Sequence, residues 1–367
     1  MAPQHFSNTI VFVAMLALFS AFAMLLLSSS ATSTSPSPPP NNSGLLQKKV
    51  SDDPSVVLKQ KFKKFMQDFG KNYTSKEEED RRFKIFREAL RDIEERNDSS
   101  LGINYFADFT DGEFTSYGSC IEIPEEALLA GDDERSYNQS DSLEIPDDHI
   151  PSAIDMRRPD LVTPVKDQER CGSCWAFATV AVVETYTAIK TDELISLSEQ
   201  ELVDCAGRAR GCVEGSVVRA LEFAKTNGIA AWSKYPYYGF QGSCGAPWHD
   251  SVAKIDRYER VLPANENALM RVVGGYGLPV VVNICANDTS FQRYTGGLIR
   301  SDCEPNETMS HSVAIVGYFT SPSSNVENYW IIKNSWGTGW GENGYGRIKM
   351  GLNLRKIASY AWLPVPN

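Results

Sequence analysis

The spacing of apolar positions changes several times along the chain, and each change marks a unit. Ile10 to Leu27 is an almost unbroken apolar run followed by the small residues Ser28 to Ala31. This predicts a secretory signal over residues 1–30, cleaved near Ser30 or Ala31. The flank carries no Lys or Arg and the run is long for a signal core, so an uncleaved membrane anchor is the alternative. From Ser28 to Pro40 the sequence narrows to Ser, Thr, Ala and Pro, too little apolar surface to fold, which predicts a solvated spacer over 31–55. Val57, Phe62, Phe65, Met66 and Phe69 then recur near helical spacing and open a small helical unit over 56–117. Its second helix is announced by Ser75-x-x-Glu78, a capping-box pattern, with Phe83, Phe86, Leu90 and Ile93 on the expected buried face.

Periodicity disappears over 118–149, where Gly118 to Asp148 holds ten acidic residues against Arg135 alone. That composition predicts an exposed, cleavable linker. The last unit, 150–367, begins with helical patterns, including Ala176 to Lys190, which is apolar on most faces and therefore predicts a buried helix. Its second half carries β-branched and aromatic runs, Ser312 to Phe319 and Tyr329 to Lys333. The order of these segments predicts an α+β fold of two domains behind a small helical one. No internal repeat is visible.

Charge narrows the choice of partners. A net charge of −11 argues against nucleic acid or an anionic membrane surface, which are bound through clustered Lys and Arg; the chain is expected to act as a monomer. The eight cysteines, behind a signal segment, should meet an oxidising compartment, where disulfides are the default. Sequons at Asn41, Asn72, Asn97, Asn138, Asn287 and Asn306 fit the same route, as a glycoprotein bound for the lysosome or the exterior.

The chemistry centres on Cys171-Gly-Ser-Cys174-Trp175, which leads into the buried helix. At a helix N-terminus the macrodipole and open amides favour the thiolate, the useful nucleophile, and this singles out Cys174. Three plainer readings compete: a redox pair, a zinc site built from Cys171, Cys174, Cys205 and Cys212, and a structural disulfide. The redox pair is a weak match, and the Cys205 and Cys212 spacing is too wide for zinc. The disulfide suits Cys171 and leaves Cys174 as an odd, free thiol. A nucleophilic cysteine also needs a base and a group to orient that base. Of the four histidines, His5, His149 and His249 lie in the signal, at the linker edge and in a Pro-Trp loop. His311 instead precedes a strand pattern, and Asn334, in Lys333-Asn-Ser-Trp336-Gly, offers an amide to accept its N–H beneath a shielding Trp336.

These residues resemble the papain family of cysteine proteases. The interval from Cys174 to His311 falls within the family's roughly 130 to 150 residues, and Asn334 lies slightly beyond it. Glu78, Arg82, Phe86, Ile93 and Asn97, with Ala89 where the family has Asn, resemble the helix signature of cathepsin L-type propeptides, and Gly102-x-Asn104-x-Phe106-x-Asp108 resembles their second motif. The resemblance implies a papain-like fold with a helical left domain and a β-barrel-like right domain. It also implies a propeptide that passes backwards through the cleft as an intramolecular inhibitor until acid loosens it.

By the same resemblance, Gln168 and the Cys174 N–H form the oxyanion hole, and Gly215 pairs with extended substrate. The pocket for the side chain two residues before the cleaved bond would be lined by Val217, Asn283 and Ser312, with Tyr360 at its floor. Cys171 would pair with Cys212 and Cys205 with Cys244. The partner that the family gives Cys303 is replaced near Arg355 or Lys356, so Cys285 becomes its expected partner and Cys120 the odd linker thiol. Glu214 is expected to add a charge at the cleft rim, and Glu169 stands where Gly is common. The expected activity is a cysteine endopeptidase acting on proteins and peptides through a Cys174–His311 pair, with no metal or cofactor. An exopeptidase that retains a piece of linker tethered through Cys120 is one alternative, and a catalytically silent binding protein is the other.

Overall fold

The computed structural model describes residues 53–118, 121, 150–206, 210–245 and 250–366, all within one compact unit, Asp53–Asn367. The signal, the spacer up to residue 52, most of the acidic linker, Cys120, His149 and His249 lie outside the described residues, while the last spacer residues, 53–55, already cap and open the first helix.

Helix α1, Pro54–Asp68, starts where the Asp53 side chain accepts from Ser55 N and Pro54 fills a position whose N–H would be unpaired. It buries Phe62 and Phe65. Val57 does not join them; it is exposed, and Leu58 packs on the cluster instead. The stripe that meets the partner helix is Leu58, Phe62, Phe65 and Phe69, spaced 4, 3 and 4 residues apart, so Val57 sits one position off it.

Helix α2, Lys76–Arg96, is capped by Ser75, which accepts from Glu78 N. The capping box is half made, because the Glu78 carboxylate pairs with Arg81 and Arg82. The centre of the buried face is Arg82, Phe86 and Ala89; Phe83, Leu90 and Ile93 lie half-buried at its edges. Ala89 is buried in the same cluster as Phe62, Phe65 and Phe86. Arg82 is tolerated inside because its guanidinium donates to Glu78, to Asp108 O and to both oxygens of Glu113. Helix α3, Asp111–Gly118, follows.

In the larger part, helix α4, Cys174–Thr191, is buried from Cys174 through Ala188, three residues longer at its ends than its apolar pattern suggested. Helices α5, Glu199–Cys205, and α6, Val217–Thr226, pack beside it. Beyond it lies a seven-stranded antiparallel sheet. Its members are β1 (Ala153–Asp155), β4 (Arg257–Arg260), β5 (Val280–Ile284), β6 (His311–Phe319), β7 (Tyr329–Lys333), β8 (Tyr345–Lys349) and β9 (Ala361–Val365), in the order β4-β9-β5-β6-β7-β8 with β1 against β6. A two-stranded ribbon joins β2, Ile229–Ala230, to β3, Ser251–Ala253. This is the α+β arrangement that the sequence predicted, with α4 between the helices and the sheet. It brings the N-terminus of α4 to the end of the sheet where β6 begins and β7 finishes.

Candidate active site

Three disulfides fix the walls. Cys171–Cys212 holds Cα atoms 4.4 Å apart beside the start of α4, and Gly172 N donates to Cys212 O. Cys205–Cys244 and Cys285–Cys303 are also bridged. At the position expected to have lost a cysteine, Arg355 is fully buried and donates to Asp288, Ser290 Oγ and Ser301 Oγ. A salt bridge with hydroxyl partners there replaces the covalent tie.

Cys174 opens α4 and is completely buried. Ser173 precedes it and makes no side-chain cap, so the first amides of α4 keep their pull on negative charge at the sulfur. Ser312 N lies 3.3 Å from Cys174 Sγ. Contrary to the expectation of a free thiol, Cys174 is disulfide-bonded in this state.

His311 begins β6, opposite Ile284 of β5, and Asn334 directly follows β7. Their side chains meet with His311 Nε2 2.7 Å from Asn334 Oδ1. The tautomer follows from a second bond: Ser335 N donates to the same Oδ1 at 2.8 Å, so that atom is the acceptor and His311 Nε2 must carry the proton. The basic lone pair is then on Nδ1. Trp336 covers the imidazole with ring centroids 4.5 Å apart. Burial is the main reason the His311 pKa falls to about 4, with the Asn334 bond opposing it.

Gln168 is oriented by Ser335 Oγ, which donates to its Oε1 at 2.7 Å and turns Nε2 toward the cleft. Nε2 donates to Cys171 O and, at 2.9 Å, to Tyr117 O of the N-terminal helical unit. Its neighbour Glu169 has φ +54°, a left-handed conformation that favours glycine.

Among the expected pocket residues, Asn283 and Ser312 face each other across β5 and β6, with Ser312 Oγ 2.7 Å from Asn283 Oδ1. Asn283 N donates to Tyr360 O at 3.0 Å, which brings Tyr360 beside them. Val217 is buried at the start of α6. Gly215 lies over the Trp175 ring, where a Cβ would stand 2.1 Å from Cε2. Glu214, expected to add a charge at the cleft rim, pairs with Arg210.

The N-terminal helical unit covers this site. Phe106, Phe114 and Tyr117 surround Trp336 with centroids 5.4, 5.3 and 6.4 Å away. Asn104 Nδ2 donates to Gln292 O at 2.7 Å and Tyr294 O at 3.2 Å. Asp92 of α2 pairs with Arg293. Asp108 sits buried between Lys71, 3.0 Å away, and the Tyr73 hydroxyl. Beyond α3, Ile121 makes a parallel bridge to Gly215.

A buried ionic cluster behind Asn334 carried no sequence signal. Lys166 Nζ bonds Glu184 at 2.8 Å and Glu199 at 2.6 Å. Lys333, next to Asn334, donates to Thr163 Oγ1, which donates to Glu184. Burial raises the Glu199 pKa to about 7 and lowers that of Lys333 to about 8. Charged residues normally read as surface positions, so only the structure reveals this strut beneath the strand that presents Asn334.

Comparison with known proteins agrees with this geometry. Residues 150–365 match the papain family cysteine protease model, and residues 62–114 match the cathepsin propeptide inhibitor domain. The chain is 36% identical to fruit bromelain of Ananas comosus over 312 residues, covering 82% of this chain and 84% of that protein. It is 40% identical to the thiol protease SEN102 of Hemerocallis over 304 residues, covering 79% and 81%. The solved structure of digestive procathepsin L 3 from the larval midgut of Tenebrio molitor superposes with a TM-score of 0.72 at 32% identity, over 84% of this chain and 99% of that one. The chain therefore belongs to the papain family of cysteine proteases and is a zymogen carrying its own inhibitory propeptide.

Proposed function

We propose that the processed enzyme is an endopeptidase in which Cys174 is the nucleophile, His311 the base and Asn334 the group that orients it. The observation that carries this reading is the Tyr117 carbonyl, held by Gln168 Nε2 at 2.9 Å. A backbone carbonyl of the propeptide occupies the place expected of a substrate carbonyl oxygen, and Gln168 becomes a donor to the oxyanion as it forms. Once Cys174 is reduced, its thiolate attacks the carbonyl carbon with the proton held on His311. His311 returns that proton to the leaving amine and then activates water against the thioester.

Chain at more than one point of the cleft supports internal cleavage: Tyr117 of the propeptide meets Gln168, and Ile121 of the linker meets Gly215. Tyr360 is proposed to shorten the pocket, favouring small or medium apolar side chains over Phe or Tyr two residues before the cut. The apolar N-terminal run supports entry into the secretory pathway and delivery to lysosome or exterior, as a monomer.

A blocked and an unblocked peptide library, given to the processed enzyme and to Cys174→Ala, tests this reading. Internal cuts in blocked peptides, absent from the variant, are expected. Cleavage confined to free termini would establish the exopeptidase alternative. No cleavage at all would leave a binding protein, and a profile dominated by aromatics at the pocket position would overturn the role of Tyr360.

A further inference from the structure

Tyr117 makes a second contact besides that of its carbonyl. While Tyr117 O lies on Gln168 Nε2, its hydroxyl donates to Asp167 Oδ1 and its ring packs edge-on against Trp336. Asp167 and Trp336 are joined by an antiparallel bridge, and a Cβ on Gly337 would stand 2.9 Å from Asp167 Oδ2. The carboxylate therefore stands against the backbone that carries the indole. Glu169 N donates to the same Oδ1 at 2.8 Å, a tie within the protease that holds Asp167 in place without Tyr117. The neighbouring charges face elsewhere. Glu169 reaches toward Gly239, whose Cβ would meet its Oε2 at 2.8 Å. Lys166 is engaged by Glu184 and Glu199, and Arg170 lines a separate hollow with Lys71 and Tyr73. In the precursor Trp336 is buried, in part by Phe106, Phe114 and Tyr117. Departure of the propeptide thus uncovers an aromatic surface edged by the Asp167 carboxylate.

We propose that Asp167 and Trp336 form a substrate site for a Lys or Arg side chain within the two residues that follow the cut bond. This rests on Cys174 and His311 acting on peptide bonds. His311 gives its proton to the leaving amine, and Trp336 covers that imidazole, so the chain beyond the cut runs beside Trp336. Extended chain advances about 3.3 Å per residue, which keeps the first two side chains after the cut in reach of Asp167. The indole N–H, buried with no acceptor among the described residues, is left to take a backbone carbonyl of that chain. Tyr117 shows the form of the ligand: an apolar body on the indole and a donor at its tip, on the carboxylate. Lys and Arg have the same two parts in an apolar stem and a donor head. They add a full positive charge, which Asp167 attracts directly and the indole attracts through its ring. A Glu or Asp in the same place would face Asp167 at short range and be rejected.

Internally quenched peptides that differ only at the first or second residue after the cut, with Lys, Tyr, Gln or Glu there, are given to processed wild type, Asp167→Asn and Glu169→Gln. Asp167→Asn keeps the shape and an acceptor for Glu169 N while removing the charge. Attraction of Lys and repulsion of Glu, each worth about threefold at a surface site, multiply. At one of the two positions wild type should therefore favour Lys over Glu about tenfold in kcat/KM, with Tyr between them, and added salt should shrink the ratio. Asp167→Asn should bring it below threefold, and Glu169→Gln should keep it. A wild-type ratio below threefold at both positions would overturn the proposal, as would a tenfold ratio that survives Asp167→Asn or a loss confined to Glu169→Gln. Tyr ranked above Lys would reject the cationic ligand. If processed wild type cleaves none of the peptides, the peptidase reading fails by itself. Anisotropy of the labelled peptides on Cys174→Ala, its linker cut by an added protease, then reads the site alone. The site stands if Lys binds about tenfold tighter than Glu and falls if the two bind alike.

Discussion

Phe106 is the side chain through which the propeptide reports on the active site. It is buried to 1% exposure and meets Tyr105, Phe109, Phe114, Tyr117 and Trp336 at centroid distances of 5.2 to 5.5 Å. It packs with the core of the protease, whereas the next residue, Ala107, packs with the α1–α2 hairpin. Truncating a buried Phe to Ala costs about 3 to 5 kcal/mol. At about 1.4 kcal/mol per decade, Phe106→Ala should raise the open population of residues 100–117 by about 140-fold to 3,700-fold. Hydrogen exchange on the full chain in a Cys174→Ala background, which removes both self-processing and the disulfide, reads that population directly. Protection should fall over 100–117 and in the Trp336 loop while the α1–α2 hairpin keeps its own. Val57→Ala, at an exposed position, should shift nothing by more than about 0.5 kcal/mol. Protection over 100–117 unchanged within threefold, or lost equally in the hairpin, would refute this account of docking.

Acid should open the same contact through His311. Its pKa in the closed state, about 4, lies below the ordinary 6.5, so an open state that wets the ring binds more protons between those values. The closed state is therefore destabilised as pH falls through that window, by about 3 kcal/mol at the limit; His311→Gln should flatten the pH dependence of exchange over 100–117, and identical slopes would exclude His311 as a sensor. Gln168→Ala should lower kcat of the processed enzyme by about 10²- to 10³-fold with little change in KM; a loss under threefold would remove Gln168 from the oxyanion site. Gly215→Ala should lower stability by about 1 to 3 kcal/mol, because its methyl would overlap the Trp175 ring; an unshifted denaturant midpoint would contradict the packing.

Much of the site was legible because its chemistry is concentrated in short motifs. Cys174 stands at a helix start, His311 at a strand start and Asn334 at a strand end, and antiparallel pairing of β6 with β7 brings the last two together. What escaped the sequence depended on contacts between distant segments. Lys166, Glu184, Glu199 and Lys333 read as surface charges until the fold buries them against one another. Arg82 was legible as part of a motif but not as a buried residue, because its partner Glu113 comes from a different helix. The α1 stripe was misjudged at Val57, one residue from the true face, as expected where a single apolar position decides the phase.

The central claim is that Cys174 is a nucleophile silenced in the precursor. Purified full-length chain, in dithiothreitol at mildly acidic pH, is incubated with a thiol-directed epoxide beside Cys174→Ala and sampled for peptide mapping over time. Label should appear on Cys174, in step with cleavage between residues 118 and 149, and on no other cysteine. Complete removal of the propeptide under reducing conditions with Cys174 still unlabelled would contradict the account.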